Sequence, residues 1–349
     1  MVDTAAGEQR SVTADVEVSP AALHDRVQET VGERVVGQEQ TIRCLMIGLL
    51  AGGHVMLEGP PGVAKTTLAR GLTRTVGLPS SRIQLTPDTL PADITGTQVY
   101  REHRGEFEFR KGPVFDHAVV ADEINRATPE AQAALLEAME ERQVSADGTT
   151  RPLPDPFFLI ATQNPAEMTG TYPLPQSQYD RFMLHVRVEP PDDDATLARV
   201  LERGDDPSEA APAPAETPVS PGPQAMLGLR RLVRTVHVAS PIRDHLLELH
   251  RAIEEHERVS RPPSPRALLG LQRAAQAAAA LARRAHVRPT DVESIAVEAL
   301  CHRINVTPAT DTRIGTAREL LSEILERTTT PAAPNEAPPE TALVTDGRE

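Results

Sequence analysis

The chain of 349 residues is longer than the roughly 100 to 200 residues of a typical single domain, so we expect two folded domains. It contains no apolar run of about 18 residues or more, which excludes a membrane-spanning helix. Its start lacks the basic segment followed by an apolar one that marks a secretory signal. Cys44 and Cys301 lie in apolar helical patterns rather than in metal-ligand spacing, which predicts packed free thiols. These features predict a soluble, cytoplasmic protein.

The net charge of −14 is concentrated in three segments that we do not expect to fold. Residues 1–19, 204–223 and 328–349 are rich in acids, and the last two contain ten of the 32 prolines and few large apolar side chains. Such segments cannot bury enough apolar surface to offset the loss of conformational entropy. They are predicted to be a disordered N-terminal segment, a linker and a disordered acidic tail. The remaining residues carry a net charge of only about −4, which does not identify a partner.

Residues 20–203 alternate apolar runs of strand length with helical periodicity. This pattern predicts an α/β domain with a five-stranded, mostly parallel sheet and helices on both faces. Thr128 and Pro129 are predicted to begin one of these helices, as its cap and its first residue. The predicted strands are residues 54–58, 81–85, 118–122, 157–162 and 183–188.

Beyond the linker, residues 224–327 show helical periodicity alone and predict a small all-α domain. Ser240 and Ser264, each followed by proline, and a capping box from Thr290 to Glu293 mark three helix starts. The predicted helices are residues 224–236, 241–258, 265–286, 290–304 and 315–327.

A phosphate-binding loop is predicted directly after the first strand, where residues 59–66 read GPPGVAKT and precede an apolar helical pattern. Such a loop directs backbone N–H groups and a helix N-terminus at a phosphate chain. Lys65 would neutralise the β and γ charges, and Thr66 would offer its hydroxyl to Mg²⁺. Ala64 stands where the general GxxxxGK[ST] pattern has glycine. The predicted nucleotide-binding residues are Gly59, Pro60, Pro61, Gly62, Val63, Ala64, Lys65, Thr66 and Thr67.

Asp122 and Glu123 end the third predicted strand. Asp122 is expected to hold Mg²⁺ through water, and Glu123 to polarise a water for attack on the γ-phosphate. Asn164 follows the fourth predicted strand in ATQNP, where its amide would orient that water. The alternatives are surface acids that help to cap the next helix, and an ordinary Asn-Pro turn. The order of the motifs along the chain favours the catalytic interpretation.

Arg181 ends a short predicted helix just ahead of the fifth strand. Because it would point away from its own phosphate loop, we expect it to act as an arginine finger on the γ-phosphate of a neighbouring subunit. A local ion pair with Asp180 or Glu189 is the alternative.

Four motifs together resemble the MoxR family of AAA+ ATPases: GPPGVAKT, VVADEINRATPEAQAALLEAMEERQV, ATQNP and YPLPQSQYDRF. The resemblance covers about residues 20–327 and implies a AAA+ P-loop core followed by a helical lid domain, with Ala64 as the usual loop residue. It also implies that Arg266, in SPRALLGL, senses bound nucleotide, and that Gly37 and Gln38, in VVGQEQ, contact adenine through their backbone. A surface arginine at a helix start and an ordinary turn are the alternatives.

Residues 94–115 and 142–156 are each predicted to form a hairpin, the second with Asp147 and Gly148 as its turn. The first resembles the inserted hairpin of the branch of AAA+ proteins that contains MoxR, magnesium chelatase and minichromosome maintenance proteins. Hairpins of this branch face the ring pore or a partner, and a purely structural insert is the alternative.

The resemblance implies an ATPase that uses ATP and Mg²⁺ and assembles as a homo-oligomeric ring, a hexamer. It further implies a chaperone-like remodeller that matures a client protein or inserts its metal or cofactor, with a von Willebrand factor A domain protein as partner. A nucleic-acid motor is one alternative, disfavoured by the near-neutral folded part and by only three Tyr, six Phe and no Trp for base stacking. A nucleotide-gated scaffold without turnover is the other, weakened by the joint presence of Glu123, Asn164 and Arg181.

Overall fold

The computed structural model describes residues 18–146, 148–164, 170–203, 220–307 and 313–328. Its centre is a sheet of five parallel strands, numbered here in chain order with the rest of the molecule: β1 (Val55–Glu58), β2 (Ser80–Gln84), β5 (Ala118–Asp122), β8 (Phe158–Gln163) and β9 (Leu184–Arg187). The strand order is β2-β5-β8-β1-β9, and every neighbouring pair is parallel. Each strand begins and ends within one residue of its predicted bounds, which confirms the predicted sheet.

Apolar side chains cover both faces of the sheet because they alternate along the buried strands. On β5, Ala118 and Val120 join one core, whereas Val119 and Ala121 join the other. The first core is completed by α1 (Pro20–Gly32), α2 (Glu39–Ala51) and α3 (Lys65–Thr75), and the second by α4 (Pro91–Thr95) and α5 (Pro129–Glu141). Two further helices, α6 (Gln176–Tyr179) and α7 (Asp194–Arg203), flank β9 in the chain.

The predicted start of α5 is confirmed. The Thr128 hydroxyl accepts a hydrogen bond from the Ala131 backbone N–H at 3.4 Å, and Pro129 is the first helical residue. This cap satisfies one of the N–H groups that a helix N-terminus leaves without a partner inside the helix. The cap therefore fixes where the helix begins, directly after the loop that carries Glu123.

Two antiparallel hairpins project from this domain, as the sequence predicted. The first pairs β3 (Gly96–Arg101) with β4 (Glu106–Lys111), and the second pairs β6 (Gln143–Ala146) with β7 (Thr149–Pro152). Arg151 of the second hairpin lies over the ring of Phe109 in the first, with its guanidinium carbon 3.7 Å from the ring centroid. The two hairpins are thus in direct contact. Gly148 has a positive φ of 69° in the second turn, and Asp147 lies outside the described residues.

The second part of the chain contains five helices among its described residues: α8 (Gly222–Arg234), α9 (Ser240–Glu254), α10 (Pro265–Leu281), α11 (Pro289–Leu300) and α12 (Arg313–Arg327). All five predicted helices are present, and α8 begins inside the segment 204–223 that was predicted to be a linker. This part is not all-α as predicted, because β10 (Val259–Arg261) and β11 (Asn305–Val306) pair as an antiparallel two-stranded ribbon. These strands are too short to show a period of two in the sequence.

The starts of α9, α10 and α11 lie within one residue of their predicted positions, but the predicted caps are confirmed in one case and wrong in two. The Ser264 hydroxyl caps α10 by accepting the Ala267 backbone N–H at 3.3 Å. At α9 the cap position is Ala239, and the Ser240 side chain does not cap the helix. At α11 the first residue is Pro289, and the Asp291 carboxylate accepts the Arg288 backbone N–H at 2.8 Å. The predicted box that started at Thr290 is therefore displaced by two residues towards the N-terminus, where proline favours the first helical position.

The lid helices share a hydrophobic core with the sheet domain. Buried residues of α8, α10 and α11 belong to the same cluster as those of α1, α2 and β1. The buried Arg230 guanidinium on α8 donates a hydrogen bond to the Leu49 carbonyl oxygen on α2 at 2.8 Å. Cys44 and Cys301 are buried free thiols in this cluster, as predicted. Within the described ranges, no helix is long and apolar enough to cross a membrane.

Two successive buried contacts join the lid to the strand that leads into the phosphate loop. His185 on β9 is 1% exposed, and its Nε2 lies 2.7 Å from Oε2 of Glu58, the last residue of β1. The imidazole ring of His185 stacks on that of His302 in the lid, with the two ring centroids 5.8 Å apart. Burial disfavours the charged imidazole, but hydrogen bonding with Cys301 and with the Glu58 carboxylate outweighs burial and raises the pKa of His185 to about 9.

Because the pKa of His185 rises from 6.5 to about 9 on folding, its protonation stabilises the native state fully below pH 6.5. This contribution is lost as the pH rises through 9. We expect the free energy of unfolding to fall by at most about 3 kcal/mol between these pH values, as measured by urea denaturation. In His185→Gln this decline should disappear.

The matched control is His54→Gln. Burial, with nearby arginines, lowers the pKa of His54 to about 3, so this side chain is neutral throughout the range. The control should lose stability but keep the wild-type dependence on pH. An unchanged pH dependence in His185→Gln would show that the charged contact does not form.

Candidate nucleotide-binding site

The predicted phosphate loop connects β1 to α3 at the carboxyl edge of the sheet. Ala64 has a left-handed backbone conformation (φ 59°, ψ 25°) immediately before α3, and Gly62 also has a positive φ of 85°. A Cβ atom at Gly59 would lie 2.2 Å from the Val188 carbonyl oxygen, so only glycine fits there. These turns bring the loop across the N-terminus of α3, where backbone N–H groups and the helix dipole favour an anion.

Lys65 folds over this loop. Its Nζ donates hydrogen bonds to the carbonyl oxygens of Gly59 at 2.5 Å and Pro60 at 2.7 Å. Burial lowers the pKa of Lys65, while the nearby Asp122 and Glu123 carboxylates oppose that shift. The ammonium group is therefore held at the centre of the loop, with acids on one side.

An open pocket of about 410 Å³ lies beside the loop. Its lining brings together the loop, the carboxyl ends of β5 and β8, and two side chains of β2. The lining residues are Pro61, Gly62, Val63, Ala64, Lys65, Thr66, Thr67, Arg82, Gln84, Asp122, Glu123, Thr162, Gln163 and Asn164. The structure thus places the predicted loop residues 61–67 next to Asp122, Glu123 and Asn164, although these three residues are distant from the loop in sequence.

Asp122 and Thr66 are in direct contact at the pocket wall. The Thr66 hydroxyl donates a hydrogen bond to Asp122 Oδ1 at 2.9 Å, and the Thr162 hydroxyl donates to the same oxygen at 3.1 Å. The Arg82 guanidinium lies 2.6 Å from Asp122 Oδ2. A hydroxyl and a carboxylate oxygen are hard donors, which Mg²⁺ prefers when it also binds phosphates and water. Thr66 and Asp122 therefore fit the predicted magnesium site.

Glu123 occupies a strained backbone position directly after β5. Its φ of 57° and ψ of 52° are left-handed, a region that is unfavourable for a residue with a side chain. Its backbone N–H donates to the Thr162 hydroxyl at 3.0 Å. Gln84 and Arg126 each donate to Glu123 Oε2 at 3.1 Å. With these contacts, the Glu123 side chain lines the pocket.

Asn164 lies at the end of β8 and is only 6% exposed. Its carbonyl oxygen accepts a hydrogen bond from Asn125 Nδ2 at 3.2 Å, which fixes the backbone at this point. Next to it, Gln163 accepts a hydrogen bond from the Tyr179 hydroxyl at 2.9 Å. Pro165, the other half of the predicted Asn-Pro turn, lies outside the described residues.

Arg181 and Arg266 do not line this pocket. Both bind the same carboxylate at the end of α5: Arg181 Nη2 lies 3.0 Å from Glu140 Oε2, and Arg266 Nη1 lies 2.9 Å from Glu140 Oε1. Arg181 also donates to the Leu136 carbonyl oxygen at 2.8 Å. The alternative prediction, an ion pair of Arg181 with Asp180 or Glu189, is wrong, because these two acids pair with other arginines. Asp180 lies 3.2 Å from Arg303, and Glu189 lies 2.8 Å from Arg187.

Gly37 and Gln38 also lie outside the lining of the pocket. A Cβ atom at Gly37 would lie 3.0 Å from Thr196 Cγ2, so this glycine packs closely against α7. The buried Gln38 side chain donates to the Glu189 carbonyl oxygen at 2.7 Å and accepts from the Thr41 hydroxyl at 2.8 Å. The side chain of Gln38 thus has a structural role, and backbone contact with adenine stays a prediction.

Sequence reasoning missed Arg82, Gln84, Thr162 and Glu140. Arg82 and Gln84 alternate on β2 and therefore share a face, but only the pairing of β2 with β5 shows that this face adjoins the acids. Thr162 lies in the motif ATQNP, two residues before the predicted Asn164. Glu140 gave no signal, because one acid in the helical motif LLEAMEERQV does not differ from its neighbours.

Comparisons with known proteins agree with this geometry. A family model described as the ATPase family associated with various cellular activities (AAA) matches residues 54–184, and a AAA lid domain model matches residues 251–324. The chain is 38% identical to the protein YeaC of Bacillus subtilis, over 88% of this chain and 95% of that one. It is 40% identical to the chaperone MoxR1 of Mycobacterium tuberculosis, over 78% and 73% of the two chains.

Two further comparisons extend over most of the chain. The MoxR protein of Paracoccus denitrificans is 34% identical, with 80% of this chain and 87% of that one covered. The crystal structure of a candidate ATPase from Cytophaga hutchinsonii superposes with a TM-score of 0.77 at 34% identity, with 90% and 96% covered. The motifs, the sheet, the lid and these relatives lead to one conclusion: this chain belongs to the MoxR family of AAA+ ATPases.

Proposed function

We propose that this chain binds ATP and Mg²⁺ and hydrolyses ATP to ADP and phosphate. The observation that carries the proposal is the arrangement of Thr66, Asp122 and Glu123 beside the phosphate loop. A hydroxyl and a carboxylate in contact suit a magnesium ion, and a second carboxylate beside them suits a water-activating base.

Each residue then has a separate task. Lys65 leaves the carbonyl oxygens of the loop to neutralise phosphate charge. Mg²⁺ held by Thr66 and Asp122 would supply positive charge that neutralises the phosphates. Glu123 accepts a proton from the attacking water. Because its contacts with Gln84 and Arg126 both use Oε2, we propose that Oε1 accepts this proton. Asn164 orients the water from the end of β8.

Arg181 and Arg266 are proposed to complete the site of a neighbouring subunit. Both border a second pocket, which is also lined by Gly52, Gly53 and His54 at the amino end of β1. The phosphate loop follows the carboxyl end of the same strand. The two arginines and the loop therefore lie towards opposite edges of the sheet, and the four residues of β1 alone span about 13 Å between these edges.

A head-to-tail contact would bring the arginine edge of one subunit to the phosphate loop of the next. Repeating such a contact until it closes produces a ring. We propose a homo-oligomeric ring, a hexamer by the resemblance to AAA+ proteins. Arg266 then senses the nucleotide of the neighbour rather than that of its own subunit.

The ring is proposed to act as a chaperone-like remodeller of a client protein, in its maturation or in metal or cofactor insertion. The support is that one relative is named a chaperone. A von Willebrand factor A domain protein is proposed as the partner, and a cytoplasmic location is proposed as well. The lid would respond to bound nucleotide because His302 stacks on His185, and His185 contacts Glu58 directly before the phosphate loop. Movement of the lid would then transmit force to the client.

Lys65→Ala and Glu123→Gln should separate binding from hydrolysis. Lys65→Ala should lose most nucleotide affinity, because the loop loses its mobile positive charge. Glu123→Gln should keep that affinity but reduce the hydrolysis rate by about 10²-fold or more, because the amide cannot accept the proton. Titration with a fluorescent ATP analogue and phosphate release measure the two properties.

Lys111→Ala is the matched control, since Lys111 is the only other lysine of the chain and lies over the Phe115 ring on a hairpin, outside the nucleotide pocket. It should bind and hydrolyse ATP like the wild type. Normal nucleotide affinity in Lys65→Ala, or normal turnover in Glu123→Gln, would contradict the assigned roles.

The partner class is tested by stimulation of turnover. The ATPase rate should rise several-fold on addition of a von Willebrand factor A domain protein encoded beside this gene, and should not change on addition of duplex or single-stranded DNA. Stimulation by DNA alone, weakened by salt as phosphate contacts require, would favour the nucleic-acid motor instead.

A further inference from the structure

The second pocket is rich in arginine and contains a single acid. It has a volume of about 280 Å³ and is formed where α5, the segment before β9 and α10 meet. We call it the arginine pocket. Its charged lining residues are Arg142, Arg181, Arg266, Arg273, Arg303 and Glu140.

Two of these arginines have acidic partners other than Glu140. Arg303 lies 3.2 Å from Asp180, and Arg142 lies 3.6 Å from Asp155. Their positive charges are therefore partly balanced without Glu140. The remaining cations of the pocket are Arg181, Arg266 and Arg273.

Glu140 alone balances those three cations within the lining. One carboxylate oxygen pairs with Arg181 and the other with Arg266. Arg273 is exposed and lies seven residues after Arg266 on the same face of α10. Within the described part of the chain, Arg273 forms no hydrogen bond or ion pair. The pocket thus keeps an excess of positive charge directed at solvent.

The geometry of Glu140 matches that of a bound phosphate. A carboxylate that offers one oxygen to each of two guanidinium groups makes the contacts that two oxygens of a phosphate would make. Hydrogen bonding with Arg266 lowers the pKa of Glu140, and Arg181 adds to this effect, so the carboxylate is ionised at neutral pH.

We propose, on the basis of the proposed function, that Glu140 occupies the place of a neighbour's γ-phosphate in the isolated subunit and is displaced by that phosphate when subunits meet. Glu140 holds Arg181 and Arg266 together and prevents the pocket from binding other anions. Arg273 is the third cation that the incoming polyphosphate meets.

Displacement is feasible because both ion pairs are partly exposed. The Glu140 side chain is 35% exposed and that of Arg266 is 57% exposed. Exposed ion pairs contribute little to stability, since water screens them. A polyphosphate carries several negative charges and interacts with all three arginines, whereas Glu140 carries one charge and pairs with two. The polyphosphate therefore displaces Glu140 from the arginines at a subunit junction.

Glu140→Gln should lower the ATP concentration that the assembled protein needs for hydrolysis. Glutamine keeps the shape but lacks the charge that competes with phosphate. The ATP concentration for half-maximal hydrolysis should fall by about threefold to tenfold, as expected for two exposed ion pairs, with kcat within about twofold of the wild type. The matched control is Glu141→Gln, an exposed neighbour on the same helix that does not line the pocket, and it should behave as the wild type.

A fall in kcat without a change in the half-maximal ATP concentration would overturn the proposal, because it would show that Glu140 only positions the arginines. Unchanged kinetics would overturn it as well.

A second measurement does not depend on hydrolysis or assembly. In the Lys65→Ala background, inorganic tripolyphosphate should bind about threefold to tenfold more tightly when Glu140→Gln is added, as measured by isothermal titration calorimetry. Adding Glu141→Gln instead should have no effect. Equal affinity with and without Glu140→Gln, or no binding in either protein, would overturn the proposal even if the intact protein hydrolyses ATP. A protein that fails to hydrolyse ATP but shows the calorimetric difference would contradict only the proposed function.

Discussion

The parallel alignment of five strands is the constraint on which the candidate site depends. Because β1, β5 and β8 run in the same direction and are neighbours, their carboxyl ends meet at one edge. That edge receives the phosphate loop from β1, two acids from β5 and the Thr162–Asn164 segment from β8. The 2.9 Å hydrogen bond between Thr66 and Asp122 is the direct result, since it joins residues that are 56 positions apart. Without this parallel arrangement, the three motifs would lie far apart in the structure.

The same alignment separates the arginines from the loop. Arg181 precedes β9, and Glu140 ends the helix that follows β5, so both lie towards the amino edge. Arg266 of the lid is held there by Glu140. The lid also contacts the other edge, because His302 stacks on His185 of β9, and His185 in turn contacts Glu58, the residue directly before the loop. Any movement of the lid relative to β9 must therefore disrupt the stacking of His302 on His185. The lid thus connects the two edges, which suits a protein that couples nucleotide state to subunit contacts.

Sequence reasoning succeeded where the signal is local and periodic. Each strand of the sheet was predicted within one residue because apolar runs bounded by turns carry the strand pattern directly, and the loop was predicted from contiguous residues. The ribbon of β10 and β11 was missed because two or three residues show no period. Contacts such as Arg266 with Glu140, 126 residues apart, depend on how the lid packs on α5. No local pattern encodes that packing, so the sequence predicted two separate roles for arginines that share one carboxylate.

The central claim is that one catalytic site is built from two subunits. Mixing two inactive variants tests it most directly: Lys65→Ala lacks a functional phosphate loop, and Arg181→Ala lacks the finger. Native mass spectrometry of the mixture is used to establish whether mixed rings form. The account predicts that each variant is inactive alone and that the mixture recovers part of the ATPase rate, because some junctions pair an intact loop with an intact Arg181. Mixed rings that stay inactive, together with a normal rate for Arg181→Ala alone, would contradict it.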